Sequence, residues 1–108
     1  MAFRTAYIVV FVTSANEKEA KIIADQLLKN KIAACVNMIP KINSVFWWEK
    51  KIDSAAEILL IIKSKYTALG KIIKTVKKLH SYQVPEIIAL PIIGGNKDYL
   101  AWIHESVD

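Results

Sequence analysis

The run from His80 to Ile92 (HSYQVPEIIALPI) constrains this chain more than any other stretch. Pro85 disfavours helical geometry at Val84 and imposes an extended backbone there. The apolar residues Ile87 to Leu90 then read as a strand buried on both faces. A histidine, a tyrosine and a glutamate thus fall where a helix hands over to a central strand, and such junctions at sheet ends gather polar groups that bind something. His80, Tyr82 and Glu86 are therefore the first candidate site residues.

The rest of the chain can be placed around that run. Ala6 to Thr13 (AYIVVFVT) is uncharged, β-branched and aromatic, so it reads as a buried strand. Asn16 followed three residues later by Glu19 has the spacing of an N-cap with a capping-box acid. Ala20, Ile23, Ala24, Leu27 and Leu28 then recur on one helical face, ending near Asn30. Ala33 to Trp48 is extended and interrupted by Pro40, which cannot donate to a ladder and so marks an edge or a bulge. The spacing divides it into a buried half (AACVNMI) and a peripheral, aromatic half (NSVFWW). Glu49-Lys50-Lys51 makes a turn, and Glu57 to Lys63 (EILLIIK) is another strand. Tyr66 or Thr67 opens a second helix lined by Leu69, Ile72, Ile73, Val76 and Leu79. Gly94-Gly95 turns the chain, and Asn96 caps a short final helix carrying Tyr99, Leu100, Trp102 and Ile103.

Strand, helix, strand, strand, helix, strand and a terminal helix is the order of the split βαβ pattern in ferredoxin-like folds. The expected fold is therefore an α+β, ferredoxin-like βαββαβ sandwich plus a short C-terminal helix, in one domain over 1–108. Two helices cover one sheet face only. The strands lack polar alternation on the other face, so a second subunit is expected to cover it.

Composition sharpens that expectation. The chain has 54% hydrophobic residues and a mean hydropathy of +0.28. Its longest apolar runs nonetheless fall far short of the roughly 20 residues a membrane helix needs. One cysteine argues against a disulfide framework, and no basic-then-apolar leader opens the chain, so a reducing cytoplasm is the expected compartment. The net charge of +5 permits contact with anionic partners, yet the lysines read as scattered solvated positions. Neither a membrane nor a nucleic acid is expected as a partner.

Other functions of this fold class fit poorly. An RNA-recognition module needs solvent-facing aromatics on its central strands, and EILLIIK offers none. An acyl-phosphate hydrolase needs a phosphate-cradling loop with an arginine, and the loop after the first strand is TSANEKEA. No nucleophile is paired with a base, so no enzyme is expected.

AACVNMIPKINSVFWWE, EILLIIKS, HSYQVPEIIALPI and GNKDYLAWI, in this order, closely resemble the divalent-cation tolerance protein CutA family over about Tyr7 to Ile103. The resemblance implies a ferredoxin-like homotrimer, similar to PII signalling proteins, that binds copper and other divalent cations. Asn43 to Trp48 would extend a neighbour's sheet. No cofactor is required, although a divalent cation such as copper is implied. The family's proposed copper ligands are a cysteine near the end of the first strand and adjacent histidines. Here the cysteine position is Val12, and Leu79 precedes His80 in place of the second histidine. A metal would then rest on His80 and on Glu86 as an oxygen ligand. The alternative is a PII-like small-ligand sensor, or a trimeric scaffold without a metal site, with Trp48, Glu49, Lys63, Tyr82 and Glu86 as cleft residues.

Several of these residues also have plain structural readings. Cys35 lies among Ala33, Ala34 and Val36, so an inert core thiol is expected. Trp47 and Trp48 can pack at an interface. Glu86 needs a partner, for which Lys63 or another subunit is available. Lys50 stands where the family commonly has glycine, so positive φ in that turn would be strained.

Overall fold

The computed structural model describes residues 6–108, so the first five residues of the expected domain lie outside it. The elements are β1 (Tyr7–Ser14), α1 (Glu17–Lys29), β2 (Cys35–Trp48), β3 (Lys51–Lys65), α2 (Leu69–Leu79), β4 (Ile87–Pro91) and α3 (Lys97–Ser106). A 3-10 turn over Tyr66–Ala68 leads into α2. The four strands lie in the order β2-β3-β1-β4, and every neighbouring pair is antiparallel. Each long helix therefore crosses over one intervening strand, which is the ferredoxin-like α+β arrangement.

The two-residue period of the central strands separates the sheet faces. Ile8, Val10 and Val12 of β1, with Ile58, Leu60 and Ile62 of β3, are buried beneath α1 and α2. Ala20, Ile23, Leu27, Ile72 and Val76 complete this core. Each large aliphatic side chain there contributes about 1.5 to 3 kcal/mol of burial. Val107 joins the core behind α3, and the Asp108 N–H bonds the Lys31 carbonyl.

The opposite face is apolar and open. Val9 and Phe11 of β1 align with Leu90 and Ile88 of β4, and Leu59 and Ile61 lie in the same layer on β3. Ile88 is 52% exposed and Leu90 43%. This corrects the reading of Ile87 to Leu90 as a central strand buried on both faces. Among the described residues β4 is an edge strand paired only with β1, and an apolar run alone cannot tell an edge from a centre. The first half of β2 is corrected likewise. β2 is the other edge, Met38 and Ile39 are exposed, and Cys35 is half-buried.

β2 and β3 continue beyond the body as a hairpin arm. β1 pairs with β3 only as far as Ser14 and Ile58, whereas the β2 pairing runs on to Trp48 and Lys51. Pro40 and Lys41 form a bulge opposite Ile58, with Lys41 at φ 59°. The extra residue exchanges the faces of β2 beyond it. Trp47 (74% exposed), Val45 and Ile52 then share one face of the arm, and Phe46 and Trp48 the other. Glu49 (φ 48°) and Lys50 (φ 66°) turn the arm, both left-handed as a two-residue type I′ hairpin requires. No helix among the described residues is long and apolar enough to cross a membrane.

Candidate functional site

The end of β1, the start of α1 and the α2–β4 loop meet beside the base of the arm. Asn16 caps α1 by accepting the Glu19 N–H at 2.9 Å, which brings the Glu19 carboxylate back toward β1. Its Oε2 accepts from Ser14 Oγ at 2.6 Å and from the Ala15 N–H at 3.1 Å. Its Oε1 accepts from the Ser81 N–H at 2.6 Å. A residue expected only to cap its own helix therefore clasps the loop that carries the candidate site. Burial pushes the Glu19 carboxyl up, but the bonds from Ser14, Ser81 and Ala15 outweigh it and hold the group down at about 2.

His80 ends α2 with an extended backbone at φ −78° and ψ 140°. Its side chain is fully buried. Nε2 lies 2.6 Å from the Thr13 carbonyl oxygen, and Nδ1 accepts the Tyr82 N–H at 3.0 Å. A carbonyl can only accept and an amide N–H can only donate, so the proton sits on Nε2. Both ring nitrogens are thereby engaged, and a metal reaches Nδ1 only after the Tyr82 N–H is released.

Tyr82 extends the network toward the arm. Its ring packs 4.7 Å from the His80 ring, and its phenol donates to Glu57 Oε2 at 2.8 Å. Burial, then the bond and negative charge of Glu57, then the charge of Glu19, push the Tyr82 phenol up to about 12. Glu57 is 6% exposed. Burial, then the charge of Glu57, raise the Glu86 carboxyl. No lysine or arginine lies within ion-pair distance of Glu19, Glu57 or Glu86 among the described residues.

The remaining candidates lie elsewhere in a single copy. Trp48 and Glu49 are at the arm tip, about 20 Å along β3 from Glu57 at 3.3 Å per residue. Lys63 is about as far in the opposite direction, where its ammonium and the Cys35 thiol both donate to Asn37 Oδ1. Burial, then Cys35, raise the Tyr99 phenol in the same cluster. Lys63 is therefore not the partner of Glu86 within a copy. Val12 is fully buried and Leu79 packs against the core, so neither position offers a ligand.

Glu19 and Glu57 were not among the candidates from sequence. Glu57 had a readable signal, an acid directly preceding a strand's buried residues, which needs a hydrogen-bond donor. Chemically the corner presents carboxylate and phenol oxygens, a donor set for hard cations. Among the described residues of one copy, no three His, Cys, Asp or Glu side chains converge to hold a metal. A full shell therefore requires donors from another molecule.

The fold and this corner define a ferredoxin-like α+β protein with an open apolar sheet face, a projecting arm and an oxygen-rich acidic junction. The chain belongs to the CutA1 divalent ion tolerance family, whose profile matches residues 8–106. It is 50% identical over 99 residues to the chloroplastic protein CutA 1 of Oryza sativa, covering 92% of this chain and 56% of that relative. It is 42% identical over 98 residues to the divalent-cation tolerance protein CutA of Thermus thermophilus, covering 91% of this chain and 95% of that one. The structure matches that of the periplasmic divalent cation tolerance protein CutA from Archaeoglobus fulgidus. The TM-score is 0.92 at 42% identity, with 94% of this chain and 99% of that chain covered. The chain spans about half the length of the plant and animal relatives it matches.

Proposed function

We propose that this chain acts as a non-enzymatic homotrimer of the cytoplasm, in a single domain over 1–108, that contacts divalent cations such as copper at clefts between subunits. The observation that carries this reading is the buried Glu57 paired with Tyr82 beside Glu86, oxygen donors that no lysine or arginine among the described residues neutralises. The open sheet face, where Val9, Phe11, Leu59 and Ile61 are half-buried and Ile88 and Leu90 exposed, and the two-faced apolar arm support assembly, because both leave apolar surface in water until a second copy covers it. Glu86 supplies the oxygen ligand, and His80 either joins through a freed Nδ1 or holds the loop. No resident cofactor is invoked.

Calorimetric titration of copper into wild type, Glu86→Gln and His80→Ala tests this. Saturable heat that Glu86→Gln abolishes supports the reading; equal responses from all three proteins reject it. A second reading, a PII-like small-ligand sensor or scaffold, is favoured by the exposed Trp47 and Trp48, which offer stacking surfaces at the arm tip. A thermal-shift screen of nucleotides and small anions separates the two, because a sensor's midpoint rises by ligand linkage.

A further inference from the structure

The helix layer carries a charge asymmetry independent of the acidic corner. α2 bears Lys71, Lys74, Lys77 and Lys78, all exposed, and no acid between Leu69 and Leu79. At 100° per residue these four fall within about a third of the helix circumference, opposite the buried Ile72 and Val76. None has an ion-pair partner among the described residues. The whole chain has fifteen Lys and Arg against ten Asp and Glu. Setting these four aside leaves eleven against ten, so this one face holds nearly all the net charge. In sequence the lysines read as scattered; folding gathers them.

Lysines three and four residues apart on a helix repel one another, and no acid intervenes here. α1 alongside adds no net charge, since Lys18, Lys21 and Lys29 are matched by Glu17, Glu19 and Asp25. The α2 face also lies across the sheet from Val9, Phe11 and Ile61, so self-association through that open face leaves it accessible.

We propose that the α2 face docks the phosphate backbone of duplex nucleic acid without reading bases. Lysine ammoniums are point-charge partners for phosphates. α2 has no aromatic side chain to stack on unpaired bases, which favours a duplex over a single strand. A helix that binds a bilayer inserts its apolar face, and that of α2 is buried in the core. Lys71 to Lys78 span about 10 Å of helix axis, the rise of about three base pairs.

The test is fluorescence anisotropy of the full chain with a labelled duplex DNA of scrambled sequence, the matching single strand, and phosphatidylserine vesicles assayed by co-sedimentation. Four phosphate contacts predict that affinity for the duplex falls about 50-fold between about 50 and about 150 mM salt. Replacing Lys71, Lys74, Lys77 and Lys78 with Gln abolishes binding and its salt dependence. Replacing Lys18, Lys21, Lys29 and Lys97 with Gln, the same change in net charge, leaves both intact. Gln and Lys have similar helix propensities, and circular dichroism verifies both folds. The proposal is overturned by equal loss in the two variants, by no duplex binding at the lower salt, by tighter binding to the single strand, or by α2-dependent binding to vesicles alone.

Discussion

The phenol of Tyr82 donates a 2.8 Å hydrogen bond to the Glu57 carboxylate, tying the α2–β4 loop to the base of the hairpin arm across 25 residues of sequence. Glu57 is almost wholly buried, so this donor offsets part of the cost of dehydrating a carboxylate.

Tyr82→Phe removes that donor and is expected to destabilise the fold by about 1 to 3 kcal/mol in urea unfolding. The folded phenol titrates higher than the unfolded one, so its stabilisation is complete below pH 10 and fades as pH rises through about 12. Ultraviolet titration should show one tyrosine ionising near 12 in wild type and none in the variant. A wild-type profile with every tyrosine near 10 contradicts the pairing.

Glu19 has the opposite sign. Its folded carboxyl is held down at about 2 from 4.5, so its contribution is present above pH 4.5 and is lost as pH falls through about 2. Glu19→Gln should cost about 2 kcal/mol at neutral pH, through weaker acceptance from Ser14, Ala15 and Ser81. The gap from wild type should close across that acidic window. A pH-independent gap would assign the loss to shape rather than charge.

Lys50 occupies a left-handed position at φ 66° with a side chain attached. That conformation costs a non-glycine residue about 1 to 2 kcal/mol, against about 0.5 to 1 for glycine's extra chain entropy. Lys50→Gly should therefore stabilise the hairpin by about 0.5 kcal/mol, raising Tm by a few degrees. A lower Tm would show that Lys50 makes contacts in the assembled protein that outweigh the strain.

Ile61 lies near the centre of the open face, half-buried in one copy. Wild type should sediment at three times the 12.2 kDa chain mass at micromolar concentration. Ile61→Glu should sediment as a single chain with native circular dichroism, because the charge stays solvated in a monomer but would be dehydrated on assembly. A wild-type monomer would refute the assembly outright.

Much of the architecture was legible because its signals are local. Asn16 and Asn96 accept the N–H bonds expected of caps, and Pro40 lies at a bulge on an edge strand. Their effects act over one to four residues through hydrogen bonding and fixed φ. The edge position of β4 and the exposure of Met38 and Ile39 on β2 were not legible, since an apolar run has the same pattern whether one strand or two flank it. Nor was the face exchange after Lys41, which follows from one extra residue against β3.

The candidate site divides along the same line. Sequence by itself determined that His80, Tyr82 and Glu86 share one loop at the end of α2, and that Val12 and Leu79 carry no ligand atoms. Only the tertiary structure decided their partners: Thr13 for His80, Glu57 for Tyr82, and Glu19 closing on Ser81 across 62 residues. Such pairings depend on strand order and loop closure, which no short-range pattern encodes. Tertiary packing likewise separated Trp48, paired with Lys51 at the start of β3, from Lys63 near the other end of that strand, so these residues can meet only between copies.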